Sequence, residues 1–289
     1  MSIPVKTLNN GFSMPVFGLG TWEMGGRMER DPNNDDEVDI KAIRAAVQAG
    51  ITHIDTAEKY ANGYTEELVG EALRTLDRKK LFLVTKIASE HIKYDEVLRS
   101  VESSLKRLQT SYIDLYLIHE PNHKIPLSET MKAMENLVDT KKVRFVGVSN
   151  FAVETLKEAQ SNYKYPIVAN QVHYNLECRE SVKKGLVDYC QKNNVMVIAY
   201  RPIEKGMLLQ THSSVLREVC KKYGKTIAQV AINWLIHQKN VVTMSKMRSM
   251  NHLSENLAAI NWSMDESDWN RLEKEFPGQV DVSAVCPLS

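Results

Sequence analysis

Eight short apolar runs recur along the chain, at residues 15–21, 51–55, 81–86, 113–119, 143–149, 166–172, 195–200 and 240–245. Most are nearly continuous apolar stretches rather than alternations of apolar and polar residues. That suits strands covered on both faces, because a strand with one wet face keeps every second residue polar. Segments with helical spacing lie between them, among them 38–49, 66–76, 94–108, 128–140, 153–161 and 181–193. Eight strands alternating with helices predict an α/β fold, a (β/α)8 TIM barrel. An open doubly wound sheet is the structural alternative. Residues 5–14 hold an Asn-Gly turn between short extended segments, which predicts an N-terminal hairpin capping the bottom of the barrel. After the last run, 249–260 and 265–276 read as two extra C-terminal helices, followed by a short tail, 277–289.

No Pro/Gly/Ser-rich linker divides the sequence, so residues 1–289 are expected to form one barrel domain. The chain carries 37 basic and 36 acidic residues, a net charge of +1, which favours neither nucleic acid nor a membrane surface as partner. Its four cysteines include no CxxC pair and are too few for a disulfide framework. The N-terminus lacks a signal-peptide core, and no stretch is long and apolar enough to span a bilayer. These features lead us to expect a cytoplasmic protein. No interface is legible, so a monomer or weak homo-oligomer is expected.

Three runs end in residues capable of proton chemistry: Asp55, Lys86 and His119. Tyr60 sits just beyond the first. In a parallel barrel the ends of successive strands open on one face, which gathers these scattered residues into one candidate site. A free tyrosine is a poor acid at neutral pH, but a neighbouring lysine cation favours the phenolate and lowers its pKa. An aspartate can hold the lysine, and a histidine can orient a substrate oxygen. Taken singly, each has a plain structural use: a loop cap, a surface charge, a satisfied core histidine. Together the four suit reversible proton donation to a carbonyl. His119 and His123 are four apart, a zinc spacing on a helix, but Pro121 places them in a loop, so no metal is expected.

The chain resembles the aldo-keto reductases. The motifs that carry the resemblance are GLGTW (18–22), HIDTAEKYANG (53–63), VTK (84–86), LYLIHEP (115–121), VGVSNF (146–151), NQVHYN (170–175) and SKMRSMNHLSEN (245–256). They cover almost the whole chain in family order. The resemblance implies a barrel that uses a nicotinamide cofactor without a Rossmann fold, and Gly18-Leu19-Gly20 is indeed no dinucleotide fingerprint. It implies hydride transfer from the cofactor to a small-molecule aldehyde or ketone. Tyr60 matches the general acid, Lys86 the residue that lowers its pKa, Asp55 the partner of Lys86, and His119 the substrate-orienting imidazole.

Cofactor positions carry over in the same way. Ser149, Asn150 and Gln171 match a trio that binds the nicotinamide carboxamide, although Asn150 also suits a helix N-cap before 153–161. Tyr200 matches the aromatic that stacks on the nicotinamide ring. Gly20, Thr21, Arg201, Ile203, Lys205 and Lys246 are expected along the rest of the dinucleotide, with Glu255 and Asn256 at the adenine. Met247 stands where a serine is usual and His252 where an arginine is usual, both at the adenosine 2′-phosphate. Lys246 and Arg248 are expected to compensate, so NADP(H) is the expected cofactor, with use of NAD(H) possible. Trp22, Tyr60, His119 and Glu120 are expected to line the substrate pocket. Glu120 replaces a tryptophan common in the family, and the short tail leaves little C-terminal lid. The alternatives to a reductase are a nicotinamide-binding regulatory subunit of the same fold and another barrel enzyme, such as a lyase.

Overall fold

The computed structural model describes residues 3–289. Two short strands come first, β1 (Val5–Thr7) and β2 (Ser13–Pro15), paired antiparallel with Thr7 opposite Ser13. Eight more follow: β3 (Phe17–Gly20), β4 (His53–Asp55), β5 (Phe82–Ile87), β6 (Ile113–Ile118), β7 (Val143–Ser149), β8 (Ala169–His173), β9 (Met196–Tyr200) and β10 (Val241–Ser245). These eight close into a parallel barrel in sequence order, with β10 returning to pair with β3. Each lies within an expected apolar run or one residue beyond it, and the closed barrel replaces the open-sheet alternative.

β6 shows why the runs are continuous. All of its residues are buried. Leu115 and Leu117 belong to the cluster inside the barrel, with Val84, Met196, Ile198 and Val242. Tyr116 and Ile118 belong to the cluster shared with the surrounding helices, which includes Val101, Met131 and Leu137. Each such side chain contributes about 1.5–3 kcal/mol when buried. Leu8, Phe12 and Met14 of the hairpin join the inner cluster, and the Phe12 ring lies edge-on to Phe145 at 5.0 Å. The hairpin therefore plugs the barrel from below, as its sequence predicts. Lys6 locks it there by donating to the carbonyls of Ile236, Gln238 and Val241. Gly18 leaves room for the buried ring of His53, because a Cβ there would lie 2.3 Å from His53 Nδ1.

The region 181–193 is two helices, Glu180–Lys183 and Leu186–Lys192, broken where Gly185 turns left-handed at φ 69°. Two helices unassigned from sequence, Ser214–Tyr223 and Ile227–His237, complete the wall before β10. The closing helices are Met250–Leu257 and Glu266–Glu275. Beyond them the tail doubles back over β7 and β8. Val280 N–H donates to Glu177 O, and Ala152 N–H donates to Ser289 O. Among the described residues, no helix is long and apolar enough to cross a membrane.

Candidate active site

β4 brings Asp55, and the position after β6 brings His119, to the wall of one cavity of about 700 Å³, while β5 places Lys86 behind that wall. Tyr60 arrives from the loop after β4, at the start of the turn Tyr60–Gly63. The three residues after it are left-handed: Ala61 at φ 48°, Asn62 at φ 54° and Gly63 at φ 88°. Such a conformation costs a non-glycine residue about 1–2 kcal/mol, so it persists only where the surroundings enforce it. Here Ala61 N–H donates to Arg27 O at 2.6 Å. A Cβ at Gly63 would meet Arg107 Nε at 2.8 Å, and Arg107 is itself fixed by buried Glu66, 2.6 Å from its Nη2.

Lys86 is fully buried, and each of its N–H groups has a partner. Its Nζ donates to Asp55 Oδ1 at 2.6 Å, Thr56 O at 2.7 Å and Tyr60 Oη at 3.1 Å. Gln171 Nε2 donates to the other aspartate oxygen at 2.7 Å. The Tyr60 ring stays partly open to the cavity, edge-on to Trp22 at 4.9 Å and to His119 at 5.8 Å.

The electrostatics give Lys86 its expected effect on Tyr60 and set a larger one, burial, against it. Burial raises the Tyr60 phenol above its ordinary value, Lys86 pulls it back, Asp55 and Glu120 push it further up, and the net direction is upward. Desolvation of the phenolate outweighs the nearby cation, so Tyr60 holds its proton at neutral pH. Burial works against the Lys86 cation, but Asp55 and Tyr60 raise it, and it stays an ammonium. Burial, with Lys86 and Lys59, drives His119 well below the ordinary histidine range. His119 is thus neutral, and its buried Nδ1 has no hydrogen-bond partner among the described residues.

The adjoining wall is built from amides and a phenol. Ser149 Oγ donates to Gln171 O at 2.9 Å, and Asn150 Nδ2 donates to His119 O at 3.1 Å. Tyr200 Oη donates to Asn150 Oδ1 at 3.0 Å. Ala152, rather than Asn150, is the N-cap of Val153–Ser161, so the Asn150 side chain belongs to the cavity and not to a helix end. Farther along, Glu23 spans the opening. Its carboxylate binds Lys205 Nζ at 3.0 Å and Lys246 Nζ at 2.5 Å, and against its own burial the two lysines hold it at about 2.

The profile of the aldo/keto reductase family matches residues 16–275. The chain belongs to this family. It is 33% identical to a methylglyoxal reductase of Escherichia coli K12 over 277 residues, 94% of this chain and 95% of the relative. Among solved structures, the thermostable aldo-keto reductase Tm1743, in complex with the inhibitor epalrestat, superposes with a TM-score of 0.89 at 42% identity, covering 94% of this chain and 99% of that one. A Klebsiella pneumoniae aldo/keto reductase in complex with NADP and acetate gives a TM-score of 0.84 at 32% identity, with 99% of each chain covered.

Most of the expected cofactor and substrate residues of this aldo/keto reductase line the one cavity. They include Gly20, Thr21, Trp22, Glu120, Arg201, Ile203, His252, Glu255 and Asn256. Two do not. Met247 is buried and packs in the helix-facing core. Arg248 is drawn onto Asp39 and Asn34, with Nη2 at 2.6 Å from each side chain. A fully buried carboxylate outcompetes the cavity for that guanidinium, so Arg248 is not the free compensating cation expected from sequence. Residues missed by the sequence reading include Glu23, Ser245, Val285 and Cys286, all in the cavity wall. Residues Val285 and Cys286 show that the tail supplies part of the wall. Only Ser245 carried a local signal, at the head of the SKMRSM motif.

Proposed function

We propose that this chain is a nicotinamide-dependent reductase of small aldehydes and ketones, with Tyr60 as the general acid. The observation that carries the reading is the unbroken chain Gln171–Asp55–Lys86–Tyr60, which ends at the cavity beside His119. The residues present fit a nicotinamide dinucleotide. Ser149, Asn150 and Gln171 offer amide and hydroxyl groups for its carboxamide, and Tyr200 offers a ring face. Lys205 and Lys246 offer cations for its phosphates, and the buried Ser245 Oγ has no partner among the described residues. NADP(H) is the preferred cofactor in this reading, since Lys246 and His252 both line the cavity and a 32%-identical family member was crystallised with NADP. The bound cofactor supplies the hydride.

Tyr60 supplies the proton. Burial keeps that proton on the phenol until negative charge grows on the substrate oxygen. Lys86 then stabilises the phenolate left behind, with Asp55 balancing its charge. Neutral His119 orients the substrate oxygen without competing as an acid. Glu120, beside His119, suits small polar carbonyls, consistent with the methylglyoxal reductase relative. The test is carbonyl-dependent oxidation of NADPH and NADH across a panel that includes methylglyoxal. Absence of turnover with tight NADPH binding would favour the regulatory-subunit reading instead.

A further inference from the structure

His173 ends β8, outside the Asp55–Lys86–Tyr60–His119 group, and is 6% exposed. Its Nε2 donates to Glu204 Oε2 at 2.6 Å, and its Nδ1 shares a 2.8 Å hydrogen bond with Ser283 Oγ. The two partners belong to different segments of the cavity wall. Glu204 follows Arg201 and Ile203, and its carboxylate also accepts from Asn175 Nδ2 at 2.7 Å and Arg201 Nη1 at 3.2 Å. Ser283 lies in the tail. Its Oγ accepts from the N–H groups of Val285 and Cys286, each at 3.1 Å, and these are the two tail residues that line the cavity. The His173 ring also lies parallel to Tyr200, at 5.4 Å and 8°.

Both segments need outside ties. Arg201, Glu204 and Lys205 are left-handed at φ 58°, 45° and 53°, a strained conformation for non-glycine residues. The tail forms no helix or extended strand, only an isolated bridge between Cys178 and Val280. Its course at 283–286 depends on the bonds made by Ser283, to His173 and from its own N–H to Glu180 Oε2 at 2.9 Å.

We infer that His173 is a positioning residue that couples the two ends of the cavity, clamping the 201–206 segment and the 283–286 tail onto the two nitrogens of one ring. Occupancy of the cofactor end then orders the wall of the carbonyl end. The inference rests on the nicotinamide and carbonyl reading above.

Hydrogen–deuterium exchange on the full chain, with and without NADPH, tests it. In the wild type, NADPH should slow exchange at 283–286 as well as at 201–206. His173→Phe keeps a ring against Tyr200 but removes both hydrogen bonds. In that variant, protection by NADPH should no longer reach 283–286. The KM for methylglyoxal should rise about 10-fold, as the loss of a buried hydrogen bond predicts, while kcat changes by less than about threefold. The effects of His173→Phe and Ser283→Ala on KM should be non-additive. If tail protection persists in His173→Phe, or the two effects simply add, the inference is overturned. Should His173→Phe fail to fold, Ser283→Ala and Glu204→Gln decide: tail protection lost in each supports the clamp, and protection kept in both rejects it. Tail protection by NADPH in a wild-type protein that reduces no carbonyl would leave the coupling standing and remove the reductase reading.

Discussion

Gln171 Nε2 lies 2.7 Å from Asp55 Oδ2, so the carboxylate that holds Lys86 is itself held from the far side of the barrel. Asp55 has a partner on each oxygen and Lys86 has three acceptors. The hydroxyl of Tyr60 is therefore fixed by a buried polar network with little freedom left in it. Such networks are stiff when complete and costly when broken.

Tyr60→Phe removes the phenolic oxygen and leaves the ring between Trp22 and His119. Reductase activity should fall by about 10²–10⁴, the usual worth of a general acid. NADPH affinity, followed by cofactor fluorescence, should stay near the wild-type value. Parent-rate turnover of a good aldehyde by the variant would remove Tyr60 from the role of acid.

Lys86→Met should lower both rate and stability, for different reasons. Lys86 is the influence that pulls the Tyr60 phenol down, so without it Tyr60 holds its proton more tightly and the rate near neutral pH drops. The variant also leaves Asp55 as a buried charge without its cation, at a cost of about 3–5 kcal/mol. Adding Asp55→Asn should restore most of the stability and none of the activity. Denaturant melts and pH–rate profiles of the single and double variants separate the two effects. Equal recovery of both would mean that Lys86 acts only as structure.

The barrel and the gathering of Asp55, Lys86 and His119 were legible because each residue closes an apolar run. A run buried on both faces fixes where its strand ends, and with it the rim of the barrel. What was not legible depends on distance in sequence or on solvent. Glu23 reaches Lys205 and Lys246 across 182 and 223 residues. Arg248 meets Asp39 across 209. No local pattern encodes such pairs. The pull of Lys86 on the Tyr60 phenol is legible because a neighbouring cation is visible in sequence, whereas the depth of burial that outweighs it is not.

The ion pair of His173 and Glu204 predicts a pH dependence of stability. Burial opposes a charged His173, but Cys178 and Glu204 raise the imidazole to about 9. The charged groups around the pair are Arg201, on the other Glu204 oxygen, with Glu177 acting on Glu204 and Glu180 holding the Ser283 N–H. A histidine raised on folding contributes stability that is fully present below its unfolded pKa, near ~6.5, and is lost as pH climbs through the folded value. The stability gap between wild type and His173→Gln should therefore be widest near pH ~6 and shrink by about 3 kcal/mol toward pH ~10. Urea midpoints across that range measure it. A gap that grows with pH would mean that His173 is neutral in the folded chain.

Glu120 should set substrate polarity. Glu120→Trp puts an apolar ring where a carboxylate lines the cavity. It should shift kcat/KM from methylglyoxal toward bulky aromatic aldehydes by about 10-fold or more, since one apolar pocket contact is worth ~1–3 kcal/mol. An unchanged preference across the carbonyl panel would place Glu120 outside the productive pocket.

Selection of NADPH over NADH should rest on Lys246 and His252 rather than on Arg248. Lys246 and His252 line the cavity, whereas Met247 offers no donor and Arg248 is committed to Asp39. Lys246→Met should cut the NADPH-to-NADH ratio of kcat/KM by about 10-fold, because it removes a cation from a surface that must meet an extra phosphate. His252→Arg should raise that ratio, since a guanidinium is always charged and binds phosphate through two donors. Arg248→Ala should leave the ratio within about twofold and instead destabilise the fold by about 3 kcal/mol, because it strands the fully buried Asp39 carboxylate. Steady-state kinetics with both cofactors and thermal melts of the three variants give the answer. A collapse of the ratio in Arg248→Ala, with the melting temperature unchanged, would mean that Arg248 leaves Asp39 to take the phosphate.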